Sequence, residues 1–383
     1  MTLTRGARIT GTILCIVLAV IDAGWIVRDL RALDGAARLW DSWAGVGRGD
    51  FGPLPATGAV SAVLLVATLV VAATVPRSPV AASALAATGI VTVLLRLPGV
   101  WSIGSSWLEG RYEDELRTRG FLSTFVTLAA ALALVVIAAA GRRPAEEAGG
   151  PPPTRPDRGA SVLAFLALGV AGAVTIAWEI RIASVVPSYI YPEWYTGGNG
   201  IVSVLTEGTS GWNGLVVALL CLVAAVSALV HAVHARPLGM IAAALTLVSG
   251  GLGVYRAFEL EQYDVFSRMR TEEQLSLLSS HLLLVAGAVA LVALARRGVV
   301  EVPGARGPGY GPGEYGAGGP APWRVPGPQG AGYGYPQGSG PGYGYPQDPG
   351  SGPRQGPAQG PGHGYPQGGG QGPPPPSSPP PNW

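Results

Sequence analysis

Residues 21–28 read IDAGWIVR and residues 174–181 read VTIAWEIR, each closing an apolar run, with Trp25 and Arg28 in the first and Trp178 and Arg181 in the second. Farther on, Tyr112, Glu113, Arg117 and Arg119 match Tyr263, Asp264, Arg268 and Arg270 with identical internal spacing. Each pattern falls at the same place in a set of four apolar runs. The chain therefore reads as two copies of one four-helix unit, and a repeat of that kind decides the architecture before any motif does.

Outward from those stretches, eight runs approach the roughly 20 apolar residues that a bilayer core demands of a helix. They cover residues 9–28, 56–76, 79–100, 121–140, 160–181, 213–234, 238–258 and 276–295. The turn around Pro76, Arg77 and Ser78 joins the second run to the third, and the turn at Ala235, Arg236 and Pro237 joins the sixth to the seventh. The expected fold is an all-α membrane protein of eight transmembrane helices arranged as two tandem, parallel four-helix repeats with a disordered C-terminal tail. The boundaries are 1–143 for the first repeat, 144–159 for a cytoplasmic linker, 160–297 for the second repeat and 298–383 for the tail.

Bulk composition points the same way. Of 383 residues, 48% are hydrophobic and 13% charged, too little charge to coat a soluble globule of this size. A net charge of +2, with no basic cluster interleaved with aromatics, sets nucleic-acid binding aside. Cys15 and Cys221 each lie inside an apolar run and read as buried small hydrophobes. The first span is too long for a cleaved signal peptide and is expected to stay.

Arg5 and Arg8, Arg142 and Arg143, and Arg296 and Arg297 abut helix ends that share one side, which places both termini in the cytoplasm. Arg31, Arg38 and Arg48 in the first opposite-side loop pull against that orientation. Aromatics gather on the outer side, among them Trp25, Trp43, Trp101, Trp178, Trp194 and Trp212, and read as an interfacial belt. Of the outer loops, residues 29–55 contain an amphipathic stretch from Asp29 to Trp43, which lies on the membrane or covers the bundle, and residues 182–212 form an irregular cap.

The tail turns abruptly to Gly, Pro, Tyr and Gln, with GYPQ at residues 334–337, 344–347 and 364–367. Such a segment buries too little apolar surface to offset its ordering entropy. Its proline runs suit polyproline II docking, so protein partners on the cytoplasmic side are expected besides the lipid bilayer. This tail on a multi-span chain resembles a loosely defined group of actinobacterial integral membrane proteins. The resemblance implies a bacterial cell-membrane protein and brings no catalytic residue with it.

Charges within or beside the spans are the functional pointers, because each costs on the order of 2.5 to 3.5 kcal/mol at bilayer centre. Asp22, Arg28, Arg96, Glu179, Arg181 and Arg256 form this set, with Asp22 the deepest acid and Arg96, just before Pro98, the deepest base. By the Trp25 to Trp178 register, the counterpart of Asp22 is Thr175. Two readings stand: structural ion pairs holding the halves together, or a polar substrate site. The paired stretches Tyr112, Glu113, Arg117, Arg119 and Tyr263, Asp264, Arg268, Arg270 likewise read either as solvated helix entrances or as faces for an anionic headgroup.

His231 and His234 share a helical face but lack a nearby Cys, Asp or Glu to complete a metal site, and no cofactor is expected. Gly47, Gly49 and Gly52 match a dinucleotide fingerprint by spacing alone, and Arg48, Gly49 and Asp50 an adhesion tripeptide. No nucleophile elbow, P-loop or zinc-protease motif is present, so an enzyme is not expected. The functional expectation is a non-enzymatic envelope scaffold or sensor with capped outer loops and a recruiting tail. The alternative is a secondary transporter or channel with its site between the repeats.

Overall fold

The structure, a computed structural model, describes residues 2–46, 53–143, 154–155, 157–199, 201, 204–296 and 299–300. The two glycine-loop motifs between 47 and 52, linker residues 144–153 and 156, and the tail beyond 300 lie outside them.

Helices dominate. In chain order they are α1 (Arg5–Ala32), α2 (Ala36–Ala44), α3 (Ala59–Thr74), α4 (Ala81–Arg96), α5 (Gly99–Ser102), α6 (Asp114–Ala140), α7 (Arg158–Val185), α8 (Tyr191–Thr196), α9 (Ser210–Leu229), α10 (Ala235–Glu259) and α11 (Thr271–Ala295). Among the described residues, strand structure is limited to two-residue bridges, Thr2–Leu3 with Arg142–Arg143 and Thr154–Arg155 with Val299–Val300. Side-chain oxygens start the two longest rods at matching places: Thr4 Oγ1 accepts from Ala7 N at 3.2 Å, and Asp157 Oδ1 from Ala160 N at 2.5 Å.

Among the described residues, seven helical rods are long and apolar enough to cross a membrane: α1, the continuous α4–α5 rod (Ala81–Ser102), α6, α7, α9, α10 and α11. The eighth apolar helix, α3, is shorter, with 16 residues. At 1.5 Å per residue it rises about 24 Å, against an apolar core of about 30 Å. The apolar run at 56–76 loses helix at both ends. Ala56 and Thr57 stay outside the helix because their N–H groups go to a side chain of α1, and Pro76 and Pro79 shape the turn at the other end.

Within the first set α1 packs on α3 and α6, and α4 on α6 and α3. In the second, α7 packs on α9 and α11, and α10 on α11 and α9. The sets meet where α10 lies against α3 and α4, and α9 against α4. Val63, Leu64, Val91, Leu95, Leu220 and Ile241 belong to one buried apolar cluster at this junction. Gly250 and Gly287 let α10 and α11 touch backbone to backbone, since a Cβ on either would overlap Leu284 N or Leu247 N respectively. Outward, Val20, Val66, Leu122, Val136, Ile180 and Val292 are exposed, an apolar surface suited to lipid contact.

The stretch after Asp29 covers the bundle. α1 runs on to Ala32, and α2 docks on α10 with Trp40 edge-on to Tyr255 at 6.1 Å and the Tyr255 hydroxyl donating to Asp41 Oδ1 at 2.5 Å. The expected 182–212 loop is shorter, since α7 runs to Val185 and α9 begins at Ser210, and between them α8 is the only regular piece among the described residues.

Candidate functional site

The end of the bundle opposite the chain's N-terminus holds a buried polar knot around the entry to α3. One face of α1 carries Asp22 and, seven residues on, Asp29, so both carboxylates point into the first set. α4 delivers Arg96 in its last turn, the 204–209 segment of the second set reaches across, and all four charged groups lie within 5% exposure: Asp22 5%, Asp29 0%, Arg96 4% and Glu207 4%.

Arg96 is the centre. Its Nη2 donates to Asp22 Oδ1 at 2.6 Å and to Ser61 Oγ at 3.0 Å, and its Nη1 donates to the Thr206 carbonyl at 2.5 Å. Ser61 then donates to Glu207 Oε1 at 2.7 Å, where the N–H groups of Gly58 and Ser61 also arrive at 2.8 Å each. A carboxylate from the second set thus caps the N-terminus of α3. The open N–H groups and partial positive charge of a helix start favour an anion there.

Asp29 grips the other side of the same entry. Its Oδ1 accepts from Ala56 N at 3.0 Å and from Arg28 at 2.7 Å, and its Oδ2 from Thr57 N at 2.7 Å and Thr57 Oγ1 at 2.6 Å. The Ala56 carbonyl receives Thr206 twice, from N at 2.9 Å and from Oγ1 at 2.8 Å. Tyr112 donates to the Pro55 carbonyl at 2.9 Å and Trp43 to the Thr57 carbonyl at 3.0 Å. Burial, with the Asp29 charge beside it, pushes the Tyr112 hydroxyl up to about 12, so it remains a proton donor. Residues 55–58 are irregular backbone at depth, and every partner named here answers one of their polar groups.

Two carboxylates, Asp22 and Glu207, face one guanidinium. The helix start supplies the balance for Glu207, on the order of half a positive charge. Below Arg96 on the same face of α4 stand Thr92 and Thr88, at successive four-residue steps, and their buried hydroxyls have no partner among the described residues.

Of the six charges singled out by sequence, Asp22 and Arg96 meet directly, and Arg28 joins through Asp29. The other three stand apart. Glu179 accepts from Trp194 Nε1 and the Tyr195 hydroxyl, each at 3.0 Å, which ties α8 to α7. Burial, the Tyr191 hydroxyl bonded to it and the Glu179 carboxylate raise the Tyr195 hydroxyl above its ordinary value. Arg181 pairs with Glu272 at 3.1 Å, both about half exposed, and Arg256 is exposed near the C-terminal end of α2.

The matched Tyr and Arg stretches differ in setting. Tyr112 is buried in the knot, Arg117 reaches the carbonyls of Ile103 and Ser105, Arg119 pairs with Glu115, and Glu113 is an exposed cap. Tyr263 bonds His281 at 3.1 Å, while Asp264, Arg268 and Arg270 are exposed. His234 bonds Ser227 at 3.1 Å, and among the described residues no group of three or more His, Cys, Asp or Glu side chains is placed to hold a metal ion. The belt tryptophans direct their indole N–H groups into the protein: Trp25 to Ser123, Trp178 to Ser279, Trp101 to the Thr196 carbonyl and Trp212 to the Leu94 carbonyl.

Sequence reasoning missed Asp29, Ser61, Thr206 and Glu207 as members of the site. The available signal was an acid, Glu207, flanked by Thr206 and Thr209 just before an apolar span. No family model, curated protein or solved structure matches the chain.

Proposed function

We propose that this protein is a non-enzymatic bacterial membrane scaffold or sensor, whose outer face is a fixed cap and whose Tyr- and Pro-rich tail recruits cytoplasmic partners. One observation carries the reading: the deepest charges are bound to one another and to the α3 entry, with side chains and backbone of both helical sets interlocked through Arg96 and Glu207. A group so enclosed acts as a clasp. The test is partner recovery after cross-linking in cells. Deleting residues 298–383 is expected to abolish recovery while leaving membrane insertion intact, and undiminished recovery contradicts the proposal.

The architecture behind it is two tandem four-helix repeats with eight crossings and both termini cytoplasmic. Three paired features support the repeat. The helices pack in the same order in each set, Trp25 to Ser123 and Trp178 to Ser279 are both 3.0 Å bonds, and the residues entering each set bridge to those leaving it. Bridging of Thr2–Leu3 to Arg142–Arg143 favours an even number of crossings in the first set, so the short α3 counts as one of them. The arginines at that end favour it as the cytoplasmic side.

A transporter or channel for a small or anionic solute is the second reading. The hydroxyls of Thr88 and Thr92 beneath Arg96, unpartnered among the described residues, favour it, since buried polar groups in file with an intramembrane charge are what a solute path requires.

A further inference from the structure

At the proposed cytoplasmic end three pieces of chain converge: the turn entering α4, Arg142 just beyond α6, and the turn between α9 and α10. A cleft of about 610 Å³ lies among them, between α4 and α9 and so between the two sets. Its walls include Ala86, Ile90 and Leu94 on one side and Leu219 and Val223 on the other, while Ser83, Arg142 and His234 line it at the cytoplasmic end. Ile90, Leu219 and Val223 are also exposed on the outer surface, so the cleft opens sideways toward lipid. From Val80 to Leu94 the wall rises about 21 Å at the helical pitch, enough to cover one leaflet's half of a core about 30 Å thick.

We propose that this cleft binds one anionic phospholipid, with an acyl chain along the α4 and α9 walls and the phosphate at Arg142 and His234. Arg142 is held in place by its Nε donating to the Ala138 carbonyl at 2.8 Å, and its two terminal nitrogens have no partner among the described residues. His234 engages Ser227 through Nε2, which leaves Nδ1 for a phosphate oxygen. The surrounding charge selects an anion. Arg5, Arg8, Arg77, Arg158, Arg236 and Arg296 stand at this end of the bundle against Asp157 among the described residues. A free phosphate could use the two basic groups but not the apolar wall, and a neutral lipid could use the wall but not the basic groups.

The inference rests on the helices being membrane spans. Insertion of the full chain into lipid nanodiscs is therefore checked first, and failure to insert counts against that reading itself. Native mass spectrometry of the inserted protein is then expected to show phosphatidylglycerol retained at least tenfold more tightly than phosphatidylcholine of the same chains. Arg142→Gln with His234→Gln is expected to remove that preference, Arg142→Lys to keep most of it, and Ala86→Phe to lower occupancy by both lipids; millimolar inorganic phosphate is expected to displace neither. Equal retention of the two lipids, full preference in the double variant, unchanged occupancy in Ala86→Phe, or displacement by phosphate each overturns the assignment. Helix content by circular dichroism accompanies each variant, and Arg142→Lys preserves the test should the double variant fold poorly.

Discussion

The two helical sets share a frame and differ in what fills it. In the first, the core around the entry to α3 is charged: Asp22 on α1, Arg96 on α4 and the irregular backbone that leads into α3. In the second, Thr175 stands where Asp22 would and bonds its own helix at the Ala171 carbonyl, and α10 meets α11 backbone to backbone at Gly250 and Gly287. The charged set is the one that the other set's loop enters. Polarity here follows the place where two bundles must be registered, and the core of the second set is closed by glycines together with buried leucines such as Leu168, Leu238 and Leu294.

Removing a partner from the knot is expected to have the largest effect. Asp22→Ala leaves Arg96 buried without its counter-ion and is expected to cost about 3 to 5 kcal/mol, measured by denaturant unfolding in detergent, whereas Thr175→Ala should change stability by less than about 1 kcal/mol. A similar loss at both positions would erase the contrast between the sets. Next, Glu207→Ala removes the cap on α3 together with three hydrogen bonds and is expected to cost about 2 to 4 kcal/mol. The second set has its own weak point. Gly250→Val should cost about 1 to 3 kcal/mol by pushing α10 from α11, with helix content retained.

The frame itself predicts equality. Trp25→Phe and Trp178→Phe each remove one indole hydrogen bond to a serine and should each lose about 1 kcal/mol, within a few tenths of each other. Smallest of all, Arg181→Ala breaks a half-exposed pair with Glu272 and should stay within about 0.5 kcal/mol. A large loss there would bring the second set's charges back into the account.

Much of this architecture was legible in the sequence, because apolar runs of membrane length have few alternatives. Seven of the eight runs hold a helix long enough to cross a membrane and the eighth holds the shorter α3, and Asp22 and Arg96 were recognisable as the deepest acid and base from their distance to the span ends. The boundaries of α3 were not. Ala56 and Thr57 look like helix by hydrophobicity, and only the carboxylate of Asp29, 27 and 28 residues away, draws their backbone out. Glu207 was hidden for the same reason. Its partner Ser61 is 146 residues distant, and an acid in a glycine-rich loop gives no local sign that it returns to a helix start in another bundle. Asp29 was masked by its neighbours, since Arg28, Arg31 and Asp34 give that stretch the pattern of a solvated surface.

Whether the knot is a clasp or a conduit turns on water. Thr92 is 2% exposed, without a partner among the described residues and one helical turn below Arg96, so a cysteine there reports directly on hydration of the path. In a Cys15→Ala, Cys221→Ala background, Thr92→Cys is expected to resist a membrane-impermeant methanethiosulfonate reagent in the folded protein and to react in full once denatured. Rapid labelling of the folded protein from either side would contradict the clasp and leave the solute path standing.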